Sequence, residues 1–438
     1  MTSTSSAFPP FNSGRYSHKT SDREVVLYSK LHSFLTVLIC VFLPFQTIGI
    51  PVGTTIFDIS NILLIILASA LIFRNTNKKK SEIYFLYFFI FCIIQFYIFF
   101  QNQTNISRFA SAFLWISCYI MIFIRGRDIY VPSKYAYIAT LFGTITLALA
   151  IVFELLVEGV PRPQGFMGEP STAGLVLLAT AMGLIVASNK SSKGFEKFVM
   201  LFTALVFVYI SFLLRSTHII SAAFSLLLLV AFSRTFDVRV TLVCGLIFVF
   251  VFVVALQDPH FQERLDLGST NSNLSVLSWL QGFDQMMESI RLFPVLGAGL
   301  GSTGFFQFDS YSSNALFMAG IGDLNRYDAY SGLFRMVIEL GPIFAVLFLL
   351  SVGRRLIELW RNAGRGVLPD CNDAKYQIFL FTFAFTLIVG IMLKEPTWSR
   401  SQVAVAVLLF YAVPLNAYKV KPSALGQSVT QISNVRGL

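Results

Sequence analysis

Residues 245–273 read GLIFVFVFVVALQDPHFQERLDLGSTNSN, which is the sharpest change of composition in the chain. The first twelve of these residues are apolar, whereas the next seventeen include Asp258, His260 and Arg264. Polar residues recur as far as Tyr330, so residues 257–330 form a long polar segment between two strongly apolar regions. This pattern predicts a membrane scaffold that holds one long loop at a single surface.

The composition of the whole chain is that of an integral membrane protein. Only 13% of the 438 residues are charged and 55% are hydrophobic, whereas about a quarter of the residues in a soluble domain are charged. Runs long enough to cross a hydrocarbon core of about 30 Å predict an all-α, polytopic fold of about twelve transmembrane helices. The predicted spans are 31–50, 56–73, 83–100, 109–124, 136–157, 171–188, 198–214, 217–233, 239–256, 332–350, 376–393 and 401–418.

Charge predicts the orientation of these spans. With twelve spans both termini lie on one side, and 24 of the 33 Lys and Arg residues fall on that side. Because cytoplasmic loops carry an excess of Lys and Arg, we expect cytoplasmic termini and an external long loop. The predicted regions are a cytoplasmic tail (1–30), helices 1 to 9 (31–256), the long loop (257–331), helices 10 to 12 (332–418) and a second cytoplasmic tail (419–438).

The net charge of +10 therefore faces anionic lipid headgroups, and nucleic acid is not an expected partner. No small-residue cleavage site follows the first apolar run, so we expect no cleavable signal peptide. Four of the five cysteines fall in predicted spans and none lies in the long loop. Neither a disulfide framework nor a cysteine metal site is expected.

Charged residues recur in the short turns predicted on the external side. Arg162 and Glu169 lie in EGVPRPQGFMGEPSTAG (158–174), where Glu169 is expected to be a helix cap, a functional carboxylate or both. Arg215 lies in a tight turn with His218 three residues later, an arrangement that suits an anionic headgroup unless the arginine merely snorkels. Asp58, at the head of the second predicted span, is expected to be an interfacial cap.

The long loop contains two further patterns. Apolar residues within 275–293 predict an amphipathic helix at the membrane surface or over a cavity. Gly297, Gly299 and Gly301 follow, but no strand precedes them and no Gly-Lys-Ser/Thr ends the segment, so we expect a turn re-entering a cavity rather than a nucleotide site. Arg335 and Glu339 stand four residues apart and predict an ion pair, which in a bilayer requires a wet cavity.

Arginines and carboxylates together at an external membrane surface suit a lipid-linked diphosphate substrate. Arginine binds phosphate oxygens bidentately and stays charged. A preformed diphosphate–sugar bond supplies the energy of glycosyl transfer where no ATP is present, and a carboxylate or His takes the proton of the acceptor hydroxyl. We therefore expect an enzyme that needs no metal and no cofactor.

Three features carry a resemblance to a known family. They are the Arg-Pro-x-Gly-Phe-x-x-Glu-Pro stretch (162–170), the Arg-Ser-Thr turn at Arg215, and a large loop with Gly-x-Gly-x-Gly (297–301) before Glu339-x-Gly341. This arrangement resembles the Wzy O-antigen polymerase family and its relative, the O-antigen ligase. The resemblance implies a GT-C-type membrane glycosyltransferase of the bacterial inner membrane with a periplasmic active site.

The resemblance also implies roles for individual residues. Arg162 and Arg215, with Arg326 or Arg335, would contact the diphosphate, while Glu169, His218, Asp323 and Asp328 compete as the base. The further residues expected at the acceptor side and in the loop are Tyr327, Tyr330, Glu339 and Glu395. Ligases of this superfamily resemble one another in a His-Asn pair where this chain has Tyr330-Ser331, and this departure favours the polymerase.

The implied substrates are an undecaprenyl-diphosphate-linked oligosaccharide donor and a matching acceptor. The long loop offers surfaces to a chain-length regulator or a flippase. Two alternatives stay open, the ligase that moves the glycan to lipid A core and a lipid-linked oligosaccharide flippase. A transporter is expected to show inverted repeats with charges near mid-membrane, whereas the charges of this chain gather on the predicted external side.

Overall fold

Helices make up most of the protein, in agreement with the predicted all-α class. The computed structural model describes residues 22–46, 49–52, 55–73, 78–102, 105–160, 163–167, 169–191, 193–214, 216, 218–232, 253, 257, 274–304, 309–321, 329–364, 372–394, 398 and 400–413. Within these residues the α-helices are α1 (Asp22–Phe42), α2 (Ile59–Phe73), α3 (Lys78–Asn102), α4 (Ile106–Arg125), α5 (Ser133–Leu156), α6 (Pro170–Ser188), α7 (Gly194–Leu213), α8 (His218–Phe232), α9 (Leu274–Leu292), α10 (Tyr311–Met318), α11 (Gly332–Leu340), α12 (Pro342–Gly364), α13 (Asn372–Lys394) and α14 (Ser401–Ala412).

Five of these helices are long and apolar enough to cross a membrane. They are α4 with the 3-10 turn that follows it, α5, α6, α7 and α13. Shorter apolar helices of 10–17 residues lie within α1, α2, α3, α8 and α14. The membrane character of the chain is thus supported, whereas twelve spans remain a prediction. The ninth predicted span, 239–256, lies almost wholly outside the described residues.

A short β-hairpin corrects the first two predicted spans. Helix α1 ends at Phe42, since Pro44 follows and the residue before a proline disfavours helical geometry. Strand β1 (Gly49–Val52) then pairs antiparallel with β2 (Thr55–Asp58), with Gly49 opposite Asp58. The predicted continuous span 31–50 is therefore wrong beyond residue 42, and the second span begins at Ile59.

The predicted span 332–350 is also wrong as one continuous helix. Helix α11 ends at Leu340, Gly341 adopts φ 88° and ψ 161°, and α12 begins at Pro342. This backbone conformation is accessible essentially to glycine alone. Proline fits the first position of the new helix, where its missing N–H costs nothing.

Helix α6 lies at the centre of the packing. Nearly every residue from Thr172 to Ser188 is buried, and small residues let its neighbours approach closely. A Cβ added to Gly183 would lie 2.8 Å from the Phe379 ring of α13, and Thr180 shares a 3.0 Å hydrogen bond with Thr144 of α5. Small residues and hydroxyl bonds are the usual means of packing helices in a membrane.

Contacts between helix termini define two ends of the bundle. At one end, here named the site end, Ser401 of α14 donates to the Leu43 carbonyl after α1, and Arg400 pairs with Glu169 before α6. At the opposite end Arg125 donates to the Leu71 carbonyl of α2, and Arg355 of α12 donates to the Val413 carbonyl after α14. At each end, the contacts join segments that the predicted alternation of spans places on the same side of the membrane.

Candidate functional site

A buried carboxylate forms the centre of the candidate site. Glu339, on α11, is 0% exposed and accepts three hydrogen bonds. Arg335 Nε lies 2.9 Å and Thr303 Oγ1 3.0 Å from Oε1, while Trp398 Nε1 lies 2.9 Å from Oε2. The ion pair that the four-residue spacing predicts is therefore present. Such a buried pair is stable only when further hydrogen bonds satisfy its remaining atoms, and Thr303 and Trp398 supply them.

Two local features hold α11 in place. Ser331 is the N-cap residue, and its side chain accepts from the Phe334 N–H and donates to the Met392 carbonyl of α13. Ala329 and Tyr330, directly before it, have φ of 56° and 59°, a left-handed conformation that non-glycine residues rarely adopt. Such strain persists only where the surroundings fix it, and a Cβ added to Gly282 of α9 would lie 2.1 Å from the Ala329 carbonyl oxygen.

The glycine turn at 297–304 brings Thr303 to Glu339. All its residues are buried, and the Ala298 N–H donates over 2.7 Å to the Ile338 carbonyl of α11. On its other side Asn102 of α3 donates to the Ala298 carbonyl at 2.7 Å, and the Leu300 N–H donates to Gln95 at 3.2 Å. The glycine turn, which the sequence predicts to re-enter a cavity, thus packs between α3 and α11.

An apolar groove of about 370 Å³ lies beside this cluster. Helices α3, α4, α11, α12, α13 and α14 line it almost wholly with hydrocarbon. Met336, Met392 and Trp398 lie at its site end, and Tyr411 lies toward the other. Trp398 therefore belongs to both features, because its ring lines the groove while its indole N–H binds Glu339. The Arg335 guanidinium lies 5.8 Å from the centre of the same ring.

A second polar cluster joins three helix N-termini at the site end. Arg400, the N-cap residue of α14, lies 2.9 Å from Oε1 of Glu169, the N-cap residue of α6. Asp58, directly before α2, accepts from the Ser401 backbone N–H and lies near Arg400. Asp58 is 7% exposed, and burial raises the pKa of its carboxyl to about 7 although Arg400 opposes the shift. Because Trp398 and Arg400 are two residues apart, the two clusters are neighbours.

The structure places five of the predicted site residues. Glu169 occupies the N-cap position of α6, as the helix-cap interpretation predicts, but its side chain makes no capping hydrogen bond and its carboxylate pairs with Arg400. Arg335 and Glu339 form the buried pair, and His218 is fully buried at the start of α8. Tyr330 is half-buried directly before α11. The remaining predicted residues lie outside the described part of the chain: Arg162, Arg215, Asp323, Arg326, Tyr327, Asp328 and Glu395.

Four residues of the site were not predicted: Thr303, Trp398 and Arg400 were assigned no role, and Asp58 was expected only as an interfacial cap. Asp58 accepts a hydrogen bond from the first turn of α14, which is far away in the sequence. Trp398 and Arg400 could have been proposed from the sequence because they lie in a short turn on the predicted external side, where the other candidate residues lie. Within the described residues, no group of three or more His, Cys, Asp or Glu is arranged to hold a metal ion.

Comparison of the chain with protein-family models and with curated proteins gave no match.

Proposed function

We propose that this chain is a membrane polysaccharide polymerase that transfers a growing glycan from a polyprenyl diphosphate onto the next lipid-linked repeat unit. The observation that carries the proposal is the meeting of the apolar groove and the buried Arg335–Glu339 pair at Trp398. A lipid-linked diphosphate needs an apolar groove for its lipid chain directly beside a cationic site for its phosphates. Its isoprenoid chain is apolar, and its head is a dianion.

The groove suits the lipid chain of such a substrate. Its walls are contributed by six helices and are almost free of polar surface. Each buried CH₂ of a ligand contributes about 0.8 kcal/mol. From Val403 to Tyr411 the groove follows α14 for about 12 Å, at 1.5 Å per residue. It therefore holds a segment of an extended isoprenoid rather than the whole chain.

Arg335 suits the diphosphate. Glu339 and Trp398 fix the side chain from two sides, and 12% of it remains exposed. A pre-oriented guanidinium stabilises negative charge that develops on a leaving group without reorganising at the moment of reaction. Glu339 acts here through Arg335 as a positioning residue. Its side chain is fully buried and both carboxylate oxygens already accept hydrogen bonds, so an acceptor hydroxyl has no access to it.

The proposed transfer breaks the bond between the sugar C1 and the diphosphate oxygen and forms a bond from C1 to the acceptor oxygen. The electron pair of the broken bond leaves with the diphosphate, and the acceptor proton passes to a carboxylate. Among the described carboxylates at the site end, Glu169 lies beside Arg400 and has 51% of its side chain exposed. Asp323 and Asp328 remain predicted alternatives for this base.

The function is tested with purified protein in nanodiscs, given lipid-diphosphate-linked repeat units without metal or nucleotide. A ladder of multiples is expected. Transfer that appears only with lipid A core would replace the polymerase by the ligase, and absence of both products would contradict glycosyl transfer altogether.

Two variants test the site itself. Arg335→Ala should reduce kcat by about 10²-fold or more, as removal of one oriented donor does elsewhere, while Arg354→Ala, exposed at the opposite end, should not. Leu347→Trp would narrow the groove and should raise KM for the lipid-linked donor. Leu350→Trp is the matched control because Leu350 lies on α12 and is exposed, but is not part of the groove.

A further inference from the structure

Helix α9 buries polar side chains and exposes apolar ones. Beyond its first turn, the fully buried residues are Ser278, Gln281, Gly282, Gln285 and Ser289. A helix on a water-exposed surface has the opposite arrangement, with an apolar stripe toward the core and polar residues outward. The predicted amphipathic helix is thus present, and Met286 and Ile290 pack against the core, but its most deeply buried positions beyond the first turn are polar or glycine. We call this arrangement reversed polarity.

Close packing fixes this rotation of α9. A Cβ on Gly282 would lie 2.1 Å from the Ala329 carbonyl oxygen, so no larger side chain can turn toward α11 at this position. Asp284 accepts a 2.7 Å hydrogen bond from Ser312 of α10 on one flank. Trp279 packs on Phe334 of α11, with ring centres 5.1 Å apart. The reversed polarity is therefore a property of the fold and not of a loosely placed helix.

The outward surface of α9 is defined here as the α9 apolar face. Its apolar members are Phe283, Met287 and Leu292, which are 37%, 50% and 46% exposed, and it continues into Val295 and Leu296 at 49% and 47%. Arg291, paired with Glu288, lies at the end of this surface with 73% of its side chain exposed. Large apolar residues contribute about 1.5–3 kcal/mol each when removed from water. Five of them together on one surface favour an apolar neighbour.

The α9 apolar face is continuous with the outward surface of α12. The carbonyl oxygen of Val295 would lie 2.2 Å from a Cβ added to Gly341, one residue before α12 begins. Helix α12 then exposes Ile343, Val346 and Leu350, which are 52%, 54% and 64% exposed. Exposed aliphatic residues along a helix of a membrane bundle face lipid chains, and the α9 apolar face extends that surface past the break at Gly341.

We propose that α9 lies within the lipid leaflet at the site end of the bundle, with the α9 apolar face against acyl chains and its polar face against the protein. The reversed polarity is the arrangement that a lipid neighbour stabilises and water does not. Part of the long polar segment therefore lies in the membrane against α11. The buried Glu339 is then covered by a membrane-embedded helix and not by an aqueous loop.

The test measures the depth of α9 directly and does not depend on any glycosyl transfer. The five native cysteines are replaced, single cysteines are introduced, and each carries a fluorophore in nanodiscs that contain brominated lipids. Met287→Cys should be quenched as strongly as Leu350→Cys on α12. Asn314→Cys, on the exposed side of α10, is the control and should show at least threefold weaker quenching.

Quenching of Met287→Cys at the level of Asn314→Cys would place α9 in water and overturn the proposal. Cross-linking of Met287→Cys between two chains, with quenching lost, would also overturn it, because a second copy would then cover this face. Leu292→Cys repeats the measurement one turn further along, so that a folding defect of one variant does not decide the outcome.

Discussion

Glu339 shows how a single buried carboxylate can organise a site. An ionised group without water is costly, and the cost is offset only when charge and hydrogen bonds together surround it. Arg335 supplies the charge, whereas Thr303 and Trp398 arrive from segments 36 and 59 residues away in the sequence. The carboxylate therefore joins α11, the glycine turn and the turn before α14 at one point.

Asp58 predicts a pH dependence of stability. Its pKa rises in the folded protein from an ordinary value of 3.8 to about 7 because the carboxyl is buried. A group with a raised pKa stabilises the fold fully below its unfolded pKa, and this contribution is lost as the pH rises through the folded pKa. This group should therefore lower the unfolding temperature as the pH is raised from 4 to 7.

Asp58→Asn removes that titration and keeps an oxygen to accept from the Ser401 N–H. The variant should gain stability relative to the wild-type protein as the pH rises from 5 to 8, measured by thermal unfolding in detergent. Asp309→Asn, in the exposed segment before α10, should follow the wild-type curve. Equal pH dependence in the wild-type protein and Asp58→Asn would show that Asp58 is ionised throughout.

At the scale of elements, the break between α11 and α12 depends on Gly341. Its φ of 88° is strained for any other residue, and an added Cβ would lie 2.2 Å from the Val295 carbonyl oxygen and 2.7 Å from the Gly297 nitrogen. Gly341→Ala should lower the free energy of unfolding by about 3 kcal/mol or more, since a strained backbone alone costs about 1–3 kcal/mol.

Gly320→Ala is the matched control, because Gly320 has φ 72° but nothing within 4 Å of an added Cβ. Gly320→Ala should show the backbone strain without the steric clash. Its free energy of unfolding, measured by urea or thermal denaturation, should therefore decrease less than that of Gly341→Ala. Equal losses in the two variants would mean that the contact of α11 with the glycine turn does not determine the break.

Helix positions were largely predictable from the sequence, whereas the candidate site was not. Apolar runs located α4 to α8 to within a few residues, because a membrane imposes the length of a helix. Continuous hydrophobicity concealed the hairpin at Gly49–Asp58 and the break at Gly341, where proline and glycine override it. The partners of Glu339 and Asp58 depend on contacts between distant helices, which no local pattern records.

For the whole molecule, the two ends of the bundle differ in charge. At the site end Glu169 and Glu339 are each paired with one arginine and Asp58 lies near Arg400, whereas at the opposite end Arg127 and Arg355 both pair with the single carboxylate of Glu358. The excess of Lys and Arg on the loops of the opposite end predicts that it faces the cytoplasm. The proposed chemistry suits this orientation, because a lipid-linked donor carries its own activated bond and needs no ATP.

Cysteine labelling in right-side-out membrane vesicles tests that orientation. Asn314→Cys at the site end should react with a membrane-impermeant maleimide in intact vesicles. Lys190→Cys, between α6 and α7 at the opposite end, should react only after permeabilisation. The reverse pattern would place the Arg335–Glu339 pair on the cytoplasmic side, where nucleotide-activated donors are present, and the case for a lipid-linked donor would then rest on the apolar groove alone.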